Sequence, residues 1–407
     1  MSEPLLAQLV RTLARPIAES DRARARLHLL DWLACVAGAR GSLPQDLRSL
    51  MVPGAVGRAA LAGNVLEMDD VHRAGRLHPG PVIWPTALGC GADGLDRVLD
   101  AALHGYEAMV AVGETLDDHH YARWHPTATA GLFGAAATAA ALFHLDPDQT
   151  VSALANAGSV AGGLWHMRHD HVLTKQWHVL HAVRTGHDAA YMAADGLTGP
   201  AALLEGPQGL YAGLCAVPGV MTFPKAWRIH EVSFKPWAAC RHAHPVIDCA
   251  LELRAAGGLK APFRVETYAD ALTFCDRPDP VTETEAKFSL QHAVAVIASG
   301  REATPDDFTP AAIAELAPLR AQVSVMEDAA ITARYPAHFG ARVNGFELVD
   351  TRGDPERPVD EAAIRAKMHT LAAWGGLPPE QADRACSLAL EGGDAAAIVD
   401  LLEEWLG

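Results

Sequence analysis

Five short stretches of this chain hold most of the side chains able to move a proton or grip an anion. The first, NVLEMDDVHRAGRLHPG (64–80), gathers Glu67, Asp69, Asp70, His72 and His78 ahead of a Pro/Gly turn. Carboxylates beside imidazoles suit general acid–base work, and they equally suit a helix end with solvated acids and a capping histidine. The second, HYARWHPTATAGLFGAAATAAALF (120–143), sets Tyr121, Arg123, Trp124 and His125 at the entrance of an Ala/Gly-rich helix expected to begin near Thr127. A helix N-terminus favours anions, so titratable groups there can serve a carboxylate; a packed aromatic with a terminal histidine is the plainer alternative.

The third, GLWHMRHDHVLTKQWHVLHAV (163–183), carries His166, His169, His171, Lys175 and His178. Lys175 and His178 share a face if this run is helical. The absence of HExxH or any regular ligand spacing leads to an expectation of no metal. The fourth, FKPWAACRHAHPVIDCALELR (234–254), lines up Lys235, Arg241, His242 and His244 before Pro245 at a helix start. Convergent, these four make a carboxylate clamp; dispersed, they are a basic surface run. The fifth, KFSLQHAVAV (287–296), puts His292 on an apolar helix face, where a satisfied core histidine is the ordinary occupant. Carboxylates, imidazoles, two lysines and an arginine together suit proton transfer on a small polyanion.

These groups need a frame, and composition says what kind. A chain of 407 residues exceeds one ordinary core, so two domains are expected, and a half-hydrophobic sequence rich in Ala points to close-packed helices. Apolar spacing predicts two helices in 4–38 with a break around Pro16 to Ser20, helices over 98–116 and 127–143, and another opened by Asp146 as N-cap with Pro147 in its first turn. The texture changes near 215–235, where prolines and β-branched residues crowd together. Beyond it RVETYADALTF and RAQVSVMEDAAI alternate like strands, while HPVIDCALELRAAG and EAKFSLQHAVAVIASG read as amphipathic helices. The tail returns to helix and is expected to pack back on the first domain. The predicted boundaries are 1–224 and 359–407 for a helical domain and 225–358 for an α+β lid.

A net charge of −16 leaves no basic face for nucleic acid or an anionic membrane surface, though a local basic pocket for a small anion remains compatible with it. Seven scattered cysteines without a CxxC pair form neither a disulfide framework nor a zinc ribbon. With no apolar leader core and no apolar run of membrane-spanning length, the expectation is a soluble cytoplasmic protein.

The motifs NVLEMDDVHRAGRLHPG, GYEAMVAVGE, HYARWHPTATAGLFGAAATAAALFHLDPDQ, ALLEGPQGLY, KPWAACRHAHPVIDCALEL, AKFSLQHAVAV and DTRGDPERPVDEAAIRAKM, in this order, resemble the MmgE/PrpD family from about residue 20 to 400. The resemblance implies a mainly α fold: a large all-helical domain from both chain ends, a smaller α+β lid, and a homodimer. It implies chemistry on small di- or tricarboxylates without metal or organic cofactor, of the kinds run by 2-methylcitrate dehydratase, cis-aconitate decarboxylase and iminodisuccinate epimerase. Carried over, the family's site residues fall on Asp69, Asp70, His72, His78, His125, Lys175 and Lys235, gathered in one pocket at the domain interface. The departures are Glu67 for the usual leading acid, Val71 for a threonine, Cys240 where decarboxylases place a histidine, His292 for a tyrosine, and a short Gly38–Asn64 segment.

From these residues the expected roles follow. Lys235, Tyr121, His125, Lys175, Asp69 and His78 form the catalytic set, with Lys235 as base, Tyr121 as acid and Lys175 on the developing enolate-like charge. Asp70, His72, His178, Arg241, His242, His244 and His292 form the substrate-binding set. A dehydratase-type lyase is expected first, an epimerase close behind, a decarboxylase less, and a catalytically silent ligand-binding protein is the non-enzyme alternative.

Overall fold

Alanine and glycine set how closely helices approach, and Pro126–Leu142 is made mostly of them. In the computed structural model, which describes residues 3–42, 54–91, 93–170 and 172–407, this helix is the centre of a helical unit. It packs on Leu95–Gly113, Thr174–Ala194, Pro147–Gly158 and Gly80–Gly89. All of its residues but Ala141 are buried. A Cβ on Gly105 would lie 2.0 Å from Thr138 Oγ1 and 3.0 Å from the Gly134 carbonyl, so the two backbones touch at a point where no side chain fits.

Local signals behave as their chemistry requires. The helices Leu5–Leu13 and Glu19–Ser42 are separated around Pro16, because proline cannot donate to a continuing helix. Asp146 and Gln149 form a reciprocal capping box with Pro147 in the first turn. Near the other end of the chain, Glu361–Trp374 packs on Glu19–Ser42, and Lys367 Nζ lies 2.6 Å from Asp31 Oδ1, both buried. The helical unit therefore comprises Met1–Val65, Asp69–Val232 and Glu361–Gly407.

The second unit comprises Leu66–Met68 and Ser233–Asp360. Its four-stranded sheet runs Val323–Glu327, Phe263–Thr267, Ala341–Val343, Phe346–Leu348, the first pair parallel and the others antiparallel. Val265 stands opposite Val325 on one side and Val343 on the other. The helices His244–Ala255 and Leu290–Ala298 pack on one another and on this sheet. The protein is thus mainly α with a smaller α+β part.

Two expectations need correction. The alternating runs stop being strands at Thr267 and Glu327; Ala269–Cys275 and Ala329–Thr332 wind into helix, the latter because Asp328 accepts hydrogen bonds from the Ala330 and Ile331 N–H groups. EAKFSLQHAVAVIASG is two helices, since Ser289 Oγ accepts from His292 N–H and starts a new one after Glu283–Lys287. The Ala-rich helix, expected to begin near Thr127, begins at Pro126. His171 and residues 43–53 of the short Gly38–Asn64 segment lie outside the described residues. Among the described residues no helix is long and apolar enough to cross a membrane.

Candidate active site

The segment from Asp69 to Gly80 turns back on itself, with His72 N–H donating to the Leu77 carbonyl (2.8 Å) and Leu77 N–H to that of His72 (3.4 Å). Asp70 closes the loop: its Oδ1 accepts from Gly80 N–H at 2.7 Å, and its Oδ2 from Tyr106 OH at 2.6 Å and His28 Nδ1 at 2.8 Å. His78 Nδ1 lies 3.0 Å from Asp69 Oδ2 and 2.8 Å from the Asp70 carbonyl. Both neighbours only accept, so Nδ1 carries the proton and Nε2 keeps its lone pair. The His78 N–H donates to Thr127 Oγ1 at 3.0 Å, which ties this loop to the first turn of the central helix.

His125 is the N-cap of that helix, yet its side chain makes no cap bond. Its N–H donates to the Gly163 carbonyl, and its Nδ1 lies 3.3 Å from His178 Nδ1. Nε2 has no hydrogen-bond partner among the described residues, although the residue is 1% exposed. Burial first, then the charges of Lys175, His178 and His78, hold its pKa well below the usual histidine range. His125 is therefore a neutral imidazole at neutral pH. Burial also lowers His178. Lys175 and His178 do share a helix, Thr174–Ala194, one turn apart. Asp69, His78, His125, Lys175 and His178 thus form one electrostatically connected group.

Two sequence candidates sit beside this group with other engagements. The Tyr121 ring lies under the Arg76 guanidinium (4.2 Å) and edge-on to Trp165 (6.1 Å), which also lies 4.6 Å from the His125 ring. His72 accepts from Gly75 N–H at Nδ1 (3.1 Å) and faces Glu114 and Glu231 with Nε2, at 3.7 and 3.6 Å. These three residues could in outline hold a metal ion, as could the more open His338, Asp350 and Glu356. The Gly75 donor argues otherwise for the first set: a neutral ring that accepts at Nδ1 carries its proton on Nε2, where the metal would bind.

The second unit holds the remaining candidates. Lys235 is fully buried with Nζ 3.9 Å from Glu67 Oε2, and Glu67 adopts a left-handed backbone (φ 58°), costly for a residue with a Cβ. Arg241 pairs through Nη2 with Asp354, whose Oδ1 also accepts from Ser233; its Nε and Nη1 have no hydrogen-bond partner among the described residues. His242 bonds Tyr268 OH at 2.8 Å and stacks on Phe274 and Phe339. His244 Nε2 meets the Ala239 carbonyl at 3.1 Å. His292 donates from Nε2 to the Asp307 carbonyl (2.8 Å) against Phe308, and burial pulls its pKa down to about 4. His242 and His292 thus have these contacts inside a packed interior.

Sequence reasoning missed Thr127, Trp165, Tyr106 and His28. Only the first two lie beside a candidate in sequence; Tyr106 and His28 reach Asp70 from 36 and 42 residues away.

Residues 42–220 match the MmgE/PrpD N-terminal domain and residues 237–391 the MmgE/PrpD C-terminal domain. Human "Cis-aconitate decarboxylase" is 30% identical over 196 residues, 45% of this chain and 40% of the relative. "Cis-aconitate decarboxylase-like protein oryM" of Aspergillus oryzae is 31% identical over 147 residues, 33% of this chain and 30% of the relative. The chain therefore aligns with less than half the length of either curated relative.

Proposed function

This chain belongs to the MmgE/PrpD family, and from that premise we propose that it is a cofactor-independent acid–base enzyme acting on the carbon next to a carboxylate of a small di- or tricarboxylate. The observation that carries the reading is the Asp69–His78 pair. His78 Nδ1–H donates to the Asp70 carbonyl, and the Asp69 carboxylate, 3.0 Å from Nδ1, is placed to stabilise the imidazolium that forms when Nε2 takes a proton. Beside it, neutral His125 offers an Nε2 without a hydrogen-bond partner among the described residues, and Lys175 supplies positive charge for an enolate-like oxygen.

The favoured reaction is hydro-lyase chemistry of the 2-methylcitrate dehydratase kind. One group removes the proton next to the carboxylate and another protonates the departing hydroxyl. His78 and Lys235 are the candidates for the first role, Tyr121 and His125 for the second. Asp70 and His178 orient His78 and His125. Arg241, with two donors beyond its Asp354 pair, is the candidate carboxylate binder of the second unit. His72, His242, His244 and His292 stand as further binding candidates, of which His292 has its Nε2 committed to a backbone carbonyl.

A decarboxylase is the second reading, favoured by the names of both relatives; Cys240, at the place where decarboxylases resembling this chain carry a histidine, weighs against it. An epimerase needs two bases flanking one carbon and is the third. We further propose a homodimer in the cytoplasm.

The test is incubation of the protein with a panel of di- and tricarboxylates in D2O, followed by NMR. Loss of water with deuterium exchange at the carbon next to the carboxylate is expected. Release of CO2 from cis-aconitate would move the assignment to decarboxylase, inversion without water loss to epimerase. No change in any substrate at high enzyme concentration would favour a ligand-binding protein and refute the enzyme.

A further inference from the structure

Asp70 holds the candidate base from two sides. Its backbone carbonyl accepts from the His78 ring, and its carboxylate accepts from Gly80 N–H two residues further on. The approach is so close that a Cβ on Gly80 would lie 2.9 Å from Asp70 Oδ1. The loop that carries His78 is therefore pinned to one aspartate, and the orientation of the ring depends on where that carboxylate points.

What aims the carboxylate is buried deeper. Tyr106 is fully buried, and its hydroxyl accepts from Trp84 Nε1 at 3.1 Å. Indole nitrogen only donates, so the Tyr106 proton must point the other way, to Asp70 Oδ2 at 2.6 Å. His28, 1% exposed, donates from Nδ1 to the same oxygen at 2.8 Å, and its ring leans on Tyr106 with centroids 5.4 Å apart. Three donors on one buried carboxylate leave it a single orientation.

We propose that Tyr106, with His28, is a positioning residue for His78: it acts through Asp70 to hold the His78 ring with its proton on Nδ1 and its lone pair on Nε2. The claim rests on the reading of His78 as a proton acceptor, but its test does not need a substrate. Neither residue touches the reacting atoms. Tyr106 removes a choice from the carboxylate, the carboxylate fixes the loop, and the loop fixes the tautomer.

Proton-detected 15N NMR of the imidazoles in the whole protein reads this directly. In the unsubstituted protein His78 should show a protonated Nδ1 and an unprotonated Nε2. Tyr106→Phe keeps the ring and removes one donor, and should move both nitrogens toward the averaged shifts of a mixed tautomer. Gly80→Ala attacks the same clamp from the loop side and should give the same change, which covers the case in which Tyr106→Phe does not fold. On a substrate found by the carboxylate panel, kcat should fall about tenfold, the value of one lost hydrogen bond, with KM unchanged. A folded Tyr106→Phe or Gly80→Ala protein with the His78 nitrogens unmoved would overturn the proposal. Moved nitrogens without turnover of any carboxylate would uphold the clamp and sink the functional reading instead.

Discussion

Replacing Asp69 by asparagine removes one charge and almost no volume, so it isolates what the carboxylate does for His78. Asp69 is 1% exposed and its Oδ2 is 3.0 Å from Nδ1. At an effective dielectric of about 20 a full imidazolium–carboxylate pair at that distance is worth roughly 5 kcal/mol before desolvation. The Asp70 carbonyl also accepts from Nδ1, at 2.8 Å. It holds the tautomer after the carboxylate is gone, so the loss is expected at the electrostatic level rather than the larger one of a misplaced proton. Asp69→Asn should lower kcat about 10²-fold, or about 2.7 kcal/mol of transition-state stabilisation. The assay is turnover of the best substrate of the panel from pH 5 to 9. A kcat within about threefold of the parent across that range would remove Asp69, and with it the pair, from the mechanism.

Tyr121→Phe should cost about 10²-fold in kcat if its hydroxyl donates to the leaving group; near-parental turnover in steady-state assays would pass that role to His125. Lys367→Ala leaves Asp31 buried with no cation at 2.6 Å, so unfolding by denaturant should show a loss of about 3–5 kcal/mol; a loss below about 1 kcal/mol would mean the carboxylate finds water. Burial pulls His28, His104, His120 and His292 down to about 4. Their folded pKa values lie below the unfolded value near 6.5, so their contribution is complete above that pH and is lost as pH falls toward 4, at about 1.4 kcal/mol per unit for each histidine that titrates. Denaturant titrations at pH 7 and pH 5 should differ accordingly, and equal midpoints would refute the burial argument.

Features decided within a few residues were legible in the sequence. The Asp146 cap, the break at Pro16 and the small-residue helix from Pro126 each depend on neighbours no more than a turn away. Where two local patterns compete, sequence reading failed. Alternation in YADALTF fits a strand, yet after Thr267 the chain turns helical with Ala271 and Cys275 buried, and Ser289 chooses capping over continuation. The family motifs named the candidates, and Asp69 and His78 are close enough in the chain to be paired on paper. The His125–His178 contact spans 53 residues, and the Tyr106–Asp70 bond 36. Such contacts are set by which helices pack side by side, and helix periodicity carries no information about that choice.

The ion pair between Lys367 and Asp31 also bears on the order of events at the ribosome. Asp31 is buried in a helix near the start of the chain, and the cation that compensates it is made 336 residues later. At synthesis rates of about 5–20 residues per second the delay is tens of seconds. Throughout that interval the first helices cannot reach their final packing without leaving a carboxylate stranded. Residues 233–360, which carry the four-stranded sheet and its helices, are made in the meantime. Residues 233–360 are therefore synthesised in full before Lys367, and the helical unit cannot complete the packing around Asp31 until that lysine has been made.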